Sequence, residues 1–159
     1  MIIAVISDTH LKSPNDELVW IFRAHLEQAD VLIHCGDIVG QDTWAFLNAH
    51  PRFYAVRGNC DFQLTDMPPS LSLELAGKKI GIAHGFGRGA NVGESVAQAF
   101  GPEYNLILFG HTHRRFWGQA KTGAYLLNPG SLFHPRDGQP SLAKICWIDD
   151  HPQVEFVVI

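Results

Sequence analysis

The sequence predicts an α/β fold, and three observations carry that prediction. Short, nearly all-apolar runs rich in β-branched residues recur at 2–6, 31–33, 53–56 and 105–109, as expected of strands covered on both faces. Between the first two runs, Leu18, Val19, Ile21, Phe22 and Leu26 follow the 3.6-residue period of a helix. Over the last third of the chain, segments of alternating polarity separated by turns read as antiparallel strands of a second sheet packed on the first.

The chain has 159 residues, 46% of them hydrophobic, which suits one domain with a real core and leaves little room for a second. Twelve basic against sixteen acidic residues give a formal net charge of −4, the wrong sign for broad electrostatic binding of nucleic acid. No stretch reaches about 18 consecutive apolar residues and no leader is evident, so neither a membrane span nor a signal peptide is expected, and the expected location is the cytoplasm. Cys35, Cys60 and Cys146 are odd in number and widely spaced, which favours reduced thiols. Of nine histidines, His25, His50, His134 and His151 carry the ordinary reading of surface or satisfied core residues.

The first apolar run ends in Ser7, Asp8, Thr9 and His10. Residues two apart on an extended or turning backbone project to one side, so Asp8 and His10 make half of a metal shell. Pro14, Asn15 and Asp16 cap the following helix. A right-handed βαβ crossover then returns the chain to VLIHCGDIVG at 31–40, placing Asp37 at the same sheet edge as Asp8. Gly36 frees the backbone to turn there. A short helix over 41–49 packs Trp44, Phe46 and Leu47 inward, and the strand at 53–56 runs out into Arg57, Gly58, Asn59, Cys60 and Asp61. Pro68 and Pro69 mark a surface connection. Segments 71–75 and 79–83 form a hairpin around Ala76, Gly77 and Lys78, ending at His84.

Gly85, Phe86, Gly87, Arg88 and Gly89 lead into a helix over 91–100. A glycine-rich turn entering a helix can cradle phosphate, yet the third glycine comes too early for a dinucleotide fingerprint and no acid follows at the required distance. The strand at 105–109 ends in Gly110, His111, Thr112 and His113. Segments 116–118, 124–127, 141–147 and 154–159 complete the second sheet, with turns at Asn128-Pro129-Gly130 and Asp137-Gly138.

Collected, the strand ends offer Asp8, His10, Asp37, Asn59, His84, His111 and His113. One catalytic zinc takes three protein ligands and a water; seven donors suit two ions sharing a carboxylate. The ordered set Asp8-x-His10, Gly36-Asp37, Gly58-Asn59-Cys60-Asp61, His84-Gly85 and Gly110-His111-Thr112-His113 resembles the calcineurin-like metallophosphoesterase superfamily. Within it the chain is most similar to the small single-domain phosphodiesterases, through Gly-Asn-Cys-Asp and Asn128-Pro129-Gly130-Ser131 followed by Pro135-Arg136. The resemblance implies two mixed β-sheets packed as a sandwich with helices on the outer faces, a four-layer α/β/β/α arrangement. It implies one ion on Asp8, His10, Asp37 and His113 and another on Asp37, Asn59, His84 and His111, with Asp37 bridging. Asp37, Asn59 and His84 then stand at the reacting phosphate, where a hydroxide shared by the ions is the nucleophile.

The ligand set suits two divalent ions, manganese first, with iron, zinc, cobalt or nickel as the others. Arg57, Arg88 and Arg136 are candidates for phosphate contacts, alongside Asn59. His34, Cys60 and Asp61 are expected to orient ligands or backbone without touching metal. Many relatives carry His where this chain has Cys60, and a thiol gives up its proton less readily than imidazolium, so esters with good leaving groups are the expected substrates. Relatives often read His-Gly-His where this chain has His84-Gly85-Phe86, which offers a stacking face in place of a polar group. The expected activity is a metal-dependent phosphodiesterase acting on a small phosphate ester. The alternatives are a non-catalytic scaffold, which would show ligand loss, and a nucleotide-specific phosphoesterase acting on cyclic nucleotides or dinucleoside polyphosphates. Trp117, Phe133 and Trp147 are candidate contacts for a homo-oligomer.

Overall fold

Apolar runs form the strands, and backbone pairing sorts ten of them into two sheets in the computed structural model, which describes residues 1–159. β1 (Ile3–Ile6), β2 (Val31–His34) and β3 (Phe53–Ala55) are parallel neighbours. α1 (Asp16–Ile21) starts where the Asn15 side chain accepts from the Leu18 amide at 2.8 Å, satisfying a free end of the helix. It widens into a π-turn over Phe22–Leu26 that keeps both Phe22 and Leu26 buried before the chain enters β2. α2 (Gln41–Leu47) joins β2 to β3.

β4 (Ser70–Leu75) and β5 (Lys78–Ala83) pair as the expected hairpin, closed by two residues, Ala76 and Gly77, at φ 51° and 70°. That is the turn whose twist matches its strands. α3 (Val92–Phe100) crosses over to β6 (Leu106–Phe109), which lies parallel to β5. β7 (Arg115–Gln119) and β8 (Tyr125–Pro129) follow, β8 pairing parallel with β6 and antiparallel with β7. The second sheet runs β4-β5-β6-β8-β7.

The last two strands overturn part of the sequence expectation. β9 (Ser141–Ile148) and β10 (His151–Val158) join the first sheet, in the order β10-β9-β1-β2-β3, with β9 antiparallel to β1. Nor is the second sheet purely antiparallel, since β8 runs with β6. Alternating polarity shows that a strand is half covered, not which neighbour it pairs with. β9 covers the edge of β1, whose residues are fully buried and would otherwise expose their ladder.

Ile3, Val5, Val31, Ile33 and Cys35 from the first sheet meet Ile80, Ile82, Leu106, Leu108 and Leu127 from the second in the central core. Leu18, Ile21, Phe22, Leu26 and Leu47 cover the outer face of the first sheet, and Val92, Val96 and Ala97 cover that of the second. The layers are therefore helix, sheet, sheet, helix, and Cys35 is a packing residue as expected. Trp117 and Trp147 pack against the central core and Phe133 against the helical layer. The exposed large aromatics are instead Trp20, Phe62, Phe86 and Phe116. No helix is long and apolar enough to cross a membrane.

Because β1, β2, β3, β5, β6 and β8 are joined by parallel pairings within their sheets, each sheet delivers its C-terminal strand ends to a single edge. The seven residues singled out from the sequence all follow such ends.

Candidate metal centre

The loops after β1 and β2 continue to pair after the strands end. The Asp8 amide donates to Gly36 O at 3.0 Å, that of His10 to Asp37 O at 3.0 Å and that of Leu11 to Ile38 O at 3.1 Å. Asp8, His10, Asp37, His111 and His113 all adopt left-handed backbone, with φ between 50° and 67°. Such conformations cost about 1–3 kcal/mol each unless the surroundings enforce them, and Asp and His tolerate them better than branched residues. The tight turns aim successive side chains into one space. Two glycines make room for it: a Cβ on Gly58 would collide with Asp37, and one on Gly110 with the Ser7 hydroxyl.

In that space Asp8 is fully buried and Asp37 nearly so. His113 Nε2 stands 3.2 Å from Asp8 Oδ1 and 3.3 Å from His10 Nε2. His10 Nε2 is 3.6 Å from Asp37 Oδ2. His84 Nε2 lies 3.3 Å from Asp37 Oδ2, 4.0 Å from Asp8 Oδ1 and 3.1 Å from Asn59 Oδ1.

Backbone carbonyls fix the rings. His84 Nδ1 donates to Cys35 O at 2.8 Å and His113 Nδ1 to His134 O at 2.7 Å, so in the neutral rings each Nε2 carries a lone pair. Those lone pairs point at carboxylate and amide oxygens. Acceptors facing acceptors repel, and Asp8 Oδ1 is a buried oxygen without any hydrogen-bond donor. A cation at their common focus removes both conflicts, so the donor set fits divalent metal.

The charges agree. Burial opposes ionisation of Asp37, but His84, the Cys60 amide and His10 outweigh it and hold its carboxyl well below the usual range. Burial likewise opposes a charged His84, yet its contacts with Asp37 and Asp8 raise its pKa. Asp8 raises that of His113. In the absence of metal, a proton is the nearest substitute for the missing positive charge.

A surrounding layer holds the ligands. Asp61 accepts from the amides of Gly58 at 2.7 Å, Asp37 at 2.9 Å and Val39 at 2.7 Å, clamping the β2 and β3 loops together. His34 Nδ1 accepts from the Gly36 amide at 3.0 Å and its Nε2 faces Thr9 Oγ1 at 3.2 Å; burial pushes its pKa down to about 4, so the ring is neutral. The Cys60 amide donates to Asp37 Oδ1 at 2.7 Å. Its sulfur groups with His10 and Asp37, all donor atoms within 4.8 Å of one another, nearer the focus than the sequence suggests. Burial and then Asp37 push the thiol up to about 11.

Ser7, Ser131 and Asn128, which the sequence marks by position or motif without a role, also support the ligands. Ser7 Oγ donates to Asp8 Oδ2 at 2.6 Å and Ser131 Oγ to Asp8 O at 2.7 Å. Asn128 Nδ2 donates to Gly110 O at 2.8 Å. His134, read as an ordinary histidine, acts through its carbonyl, which no side-chain pattern reveals.

His111 is placed differently from the other six. Its amide donates to Asp8 Oδ2 at 3.1 Å, while its ring stands edge-on to His84 at 5.2 Å between centroids, and it belongs to none of the close donor groups. A cleft of about 540 Å³ opens beside Asn59 and His84, lined also by Arg57, Arg88, Phe62 and Phe86. Phe62 was not singled out from the sequence. Arg136 does not line the cleft; it lies on the other side of the centre, its amide donating to His113 O at 2.8 Å and its positive charge opposing protonation of the His113 ring. The start of α3 lines a separate depression with Phe109 and Phe116 and is not among the residues lining the cleft.

Comparison with known proteins gives the same reading. A probable metallophosphoesterase of Methanocaldococcus jannaschii is 32% identical over 164 residues, covering 100% of this chain and 82% of its own. A crystal structure from Streptococcus pneumoniae, described as a predicted phosphoesterase, has TM-score 0.77 at 26% identity over 99% of this chain and 88% of that one. A structure described as an archaeal phosphodiesterase has TM-score 0.75 at 23% identity over 100% of both chains, a likeness of fold alone. The family model of the calcineurin-like phosphoesterase superfamily domain matches residues 1–150, a span that takes in β1 to β9 and all seven residues singled out from the sequence, and the chain belongs to that superfamily.

Proposed function

We propose that this protein is a phosphodiesterase using two divalent ions, manganese first among the candidates. The observation that carries the reading is the convergence of Asp8 Oδ1, Asp37 Oδ2 and the Nε2 lone pairs of His84 and His113 on one buried focus. Asp8, His10, Asp37 and His113 would hold one ion, and Asp37, Asn59, His84 and His111 the other. When bound, such a pair supplies an acidified solvent molecule near neutral pH and Lewis acidity toward the phosphoryl oxygens.

The chain's own residues do the rest. Asp37 stays ionised and is reached from both sides; Asn59 and His84 present the phosphate from the cleft wall, where Arg57 and Arg88 offer guanidinium donors to its oxygens. Cys60 places a thiol where many relatives carry an imidazole, and a thiol is a poorer proton donor to a departing alkoxide than imidazolium. Diesters with acidic leaving groups are therefore favoured over alkyl monoesters. The complete donor set supports a catalytic role over a scaffold, for which ligand loss is the expected mark.

The test is hydrolysis of aryl diesters and alkyl monoesters by protein loaded with manganese, iron, zinc, cobalt or nickel, with elemental analysis alongside. Two ions per chain and preference for the diester are expected. Asp37→Ala lowers kcat/KM by about 10⁴-fold. Undiminished hydrolysis in that variant, or equal turnover of alkyl monoesters, overturns the reading.

A further inference from the structure

The cleft beside Asn59 and His84 has a composition that phosphate binding alone does not explain. Phe62 is 82% exposed and Phe86 65% exposed, both at its wall. Two such rings share this one wall, whereas the other exposed aromatics, Trp20 and Phe116, lie outside it. Neither is a stray surface residue. Phe86 stands edge-on to His111, 5.5 Å between centroids and 84° between planes, so its ring is set relative to the metal centre. Phe62 follows Asp61, whose carboxylate holds the amides of Gly58, Asp37 and Val39, so the backbone presenting its ring is anchored to the same centre.

The charge of the cleft is equally specific. Arg57 and Arg88 line it, and neither forms an ion pair; the one arginine that does is Arg115, with Asp137. Asp61 is the cleft's only acid, and it is buried and occupied by three amides. In a chain of net charge −4, this wall therefore offers an anion two guanidinium groups unpaired with any carboxylate, Arg57 making only a long contact from Nη1 to Thr65 O at 3.4 Å. Gly87 and Gly89 flank Arg88, and a Cβ at either would meet nothing within 4 Å, so the arginine sits on an open turn free to follow a ligand.

Resting on the phosphodiesterase reading, we infer that this cleft binds a nucleotide, the base against Phe62 and Phe86 and a phosphate on Arg57 and Arg88, as the retained arm of the substrate. Each alternative leaves something unused. Inorganic phosphate would engage the arginines and leave both rings in water; an alkyl chain would use the rings and strand the guanidiniums. A polynucleotide would meet an overall acidic surface beyond two arginines. A planar base with an attached phosphate uses all four side chains, by stacking and by bidentate hydrogen bonding. The cleft volume of about 540 Å³ falls within the range of small-ligand sites.

Calorimetric titration of the full chain after dialysis against chelator tests this without relying on turnover. Adenosine 5′-monophosphate, ribose 5-phosphate and adenosine are the probes. The nucleotide is expected to bind at least about tenfold more tightly than either fragment. Phe62→Leu with Phe86→Leu keeps apolar bulk and removes the rings; in that variant the nucleotide should bind no better than ribose 5-phosphate. Arg57→Ala with Arg88→Ala should bring the nucleotide down to the level of adenosine. Equal binding of nucleotide and ribose phosphate by the unaltered protein overturns the inference, as does a retained advantage in the leucine variant shown folded by circular dichroism. The two readings fail separately. Hydrolysis of aryl diesters with no nucleotide preference removes this inference and leaves the phosphodiesterase, whereas nucleotide binding with no ester hydrolysed under any metal does the reverse.

Discussion

On one side of Asp37, Asp8, His10 and His113 all stand on left-handed backbone, with His113 Nε2 within 3.3 Å of its neighbours' donor atoms. On the other, Asn59 and His84 have no such backbone, only His111 shares it, and the His111 ring stands edge-on to His84 outside the close donor groups. The first side is shaped before any ligand arrives, its strain enforced by the paired β1 and β2 loops and by Ser7 and Ser131 on Asp8. The second faces the space where a substrate would enter. Preorganisation and access are thus divided between the two sides, with Asp37 common to both.

The largest test of that division sets His113→Ala against His111→Ala. Removing His113 strips an Nε2 donor that already points at buried Asp8, and should cost about 10³-fold in kcat/KM together with loss of one ion per chain by elemental analysis. Removing His111, whose ring lies outside the close donor groups, should cost only about tenfold, with the second ion held more weakly but still present at saturating metal. Equal losses would erase the asymmetry.

Asp61 tests what joins the sides. Its carboxylate reaches the amide of Asp37 in the shared turn and that of Gly58 in the cleft-side loop. Asp61→Ala leaves three inward-facing amides without acceptors and should lower unfolding stability by about 3 kcal/mol, read from the urea midpoint. Asp61→Asn keeps one acceptor oxygen and should lose about half as much. A loss below about 1 kcal/mol for the alanine variant would show that the loops hold their register without the clamp.

How much of this could be read from the chain depends on what each feature leaves in sequence. The strand ends were legible because an apolar run stopped by Asp8, Asp37, His84 or His111 changes composition abruptly. The placement of β9 and β10 was not, because alternation is the same whichever sheet receives the strand. Left-handed turns are announced by glycine, but here Asp8, His10, Asp37, His111 and His113 adopt them, so the strain left no mark. Phe62 carried only a faint one, an apolar residue directly after Gly58-Asn59-Cys60-Asp61 in a stretch without periodicity. Arg136 shows what a motif leaves open: Pro135-Arg136 stands out in the sequence, but only the fold shows that it lies on the His113 side of the centre and not on the cleft wall.

Cys60 lies between the two sides, its sulfur grouped with His10 and Asp37 and 3.3 Å from Asn59 Nδ2, and gives the smallest effect. Burial first, then Asp37, raises its pKa from 9.0 to about 11. Below both values the thiolate fraction falls by about 100-fold relative to the unperturbed thiol, and alkylation by iodoacetamide slows in proportion. In metal-free protein the rate at pH 8 should therefore be about 100-fold below that of a model peptide. It should also keep rising through pH 9, where an ordinary thiol begins to level, toward a midpoint near 11. Asp37→Asn removes the second of the raising influences and should return part of the reactivity. A metal-free thiol that alkylates like the peptide would mean that Cys60 is not held against Asp37, and that the two sides are less tightly joined than the amide contact at 2.7 Å implies.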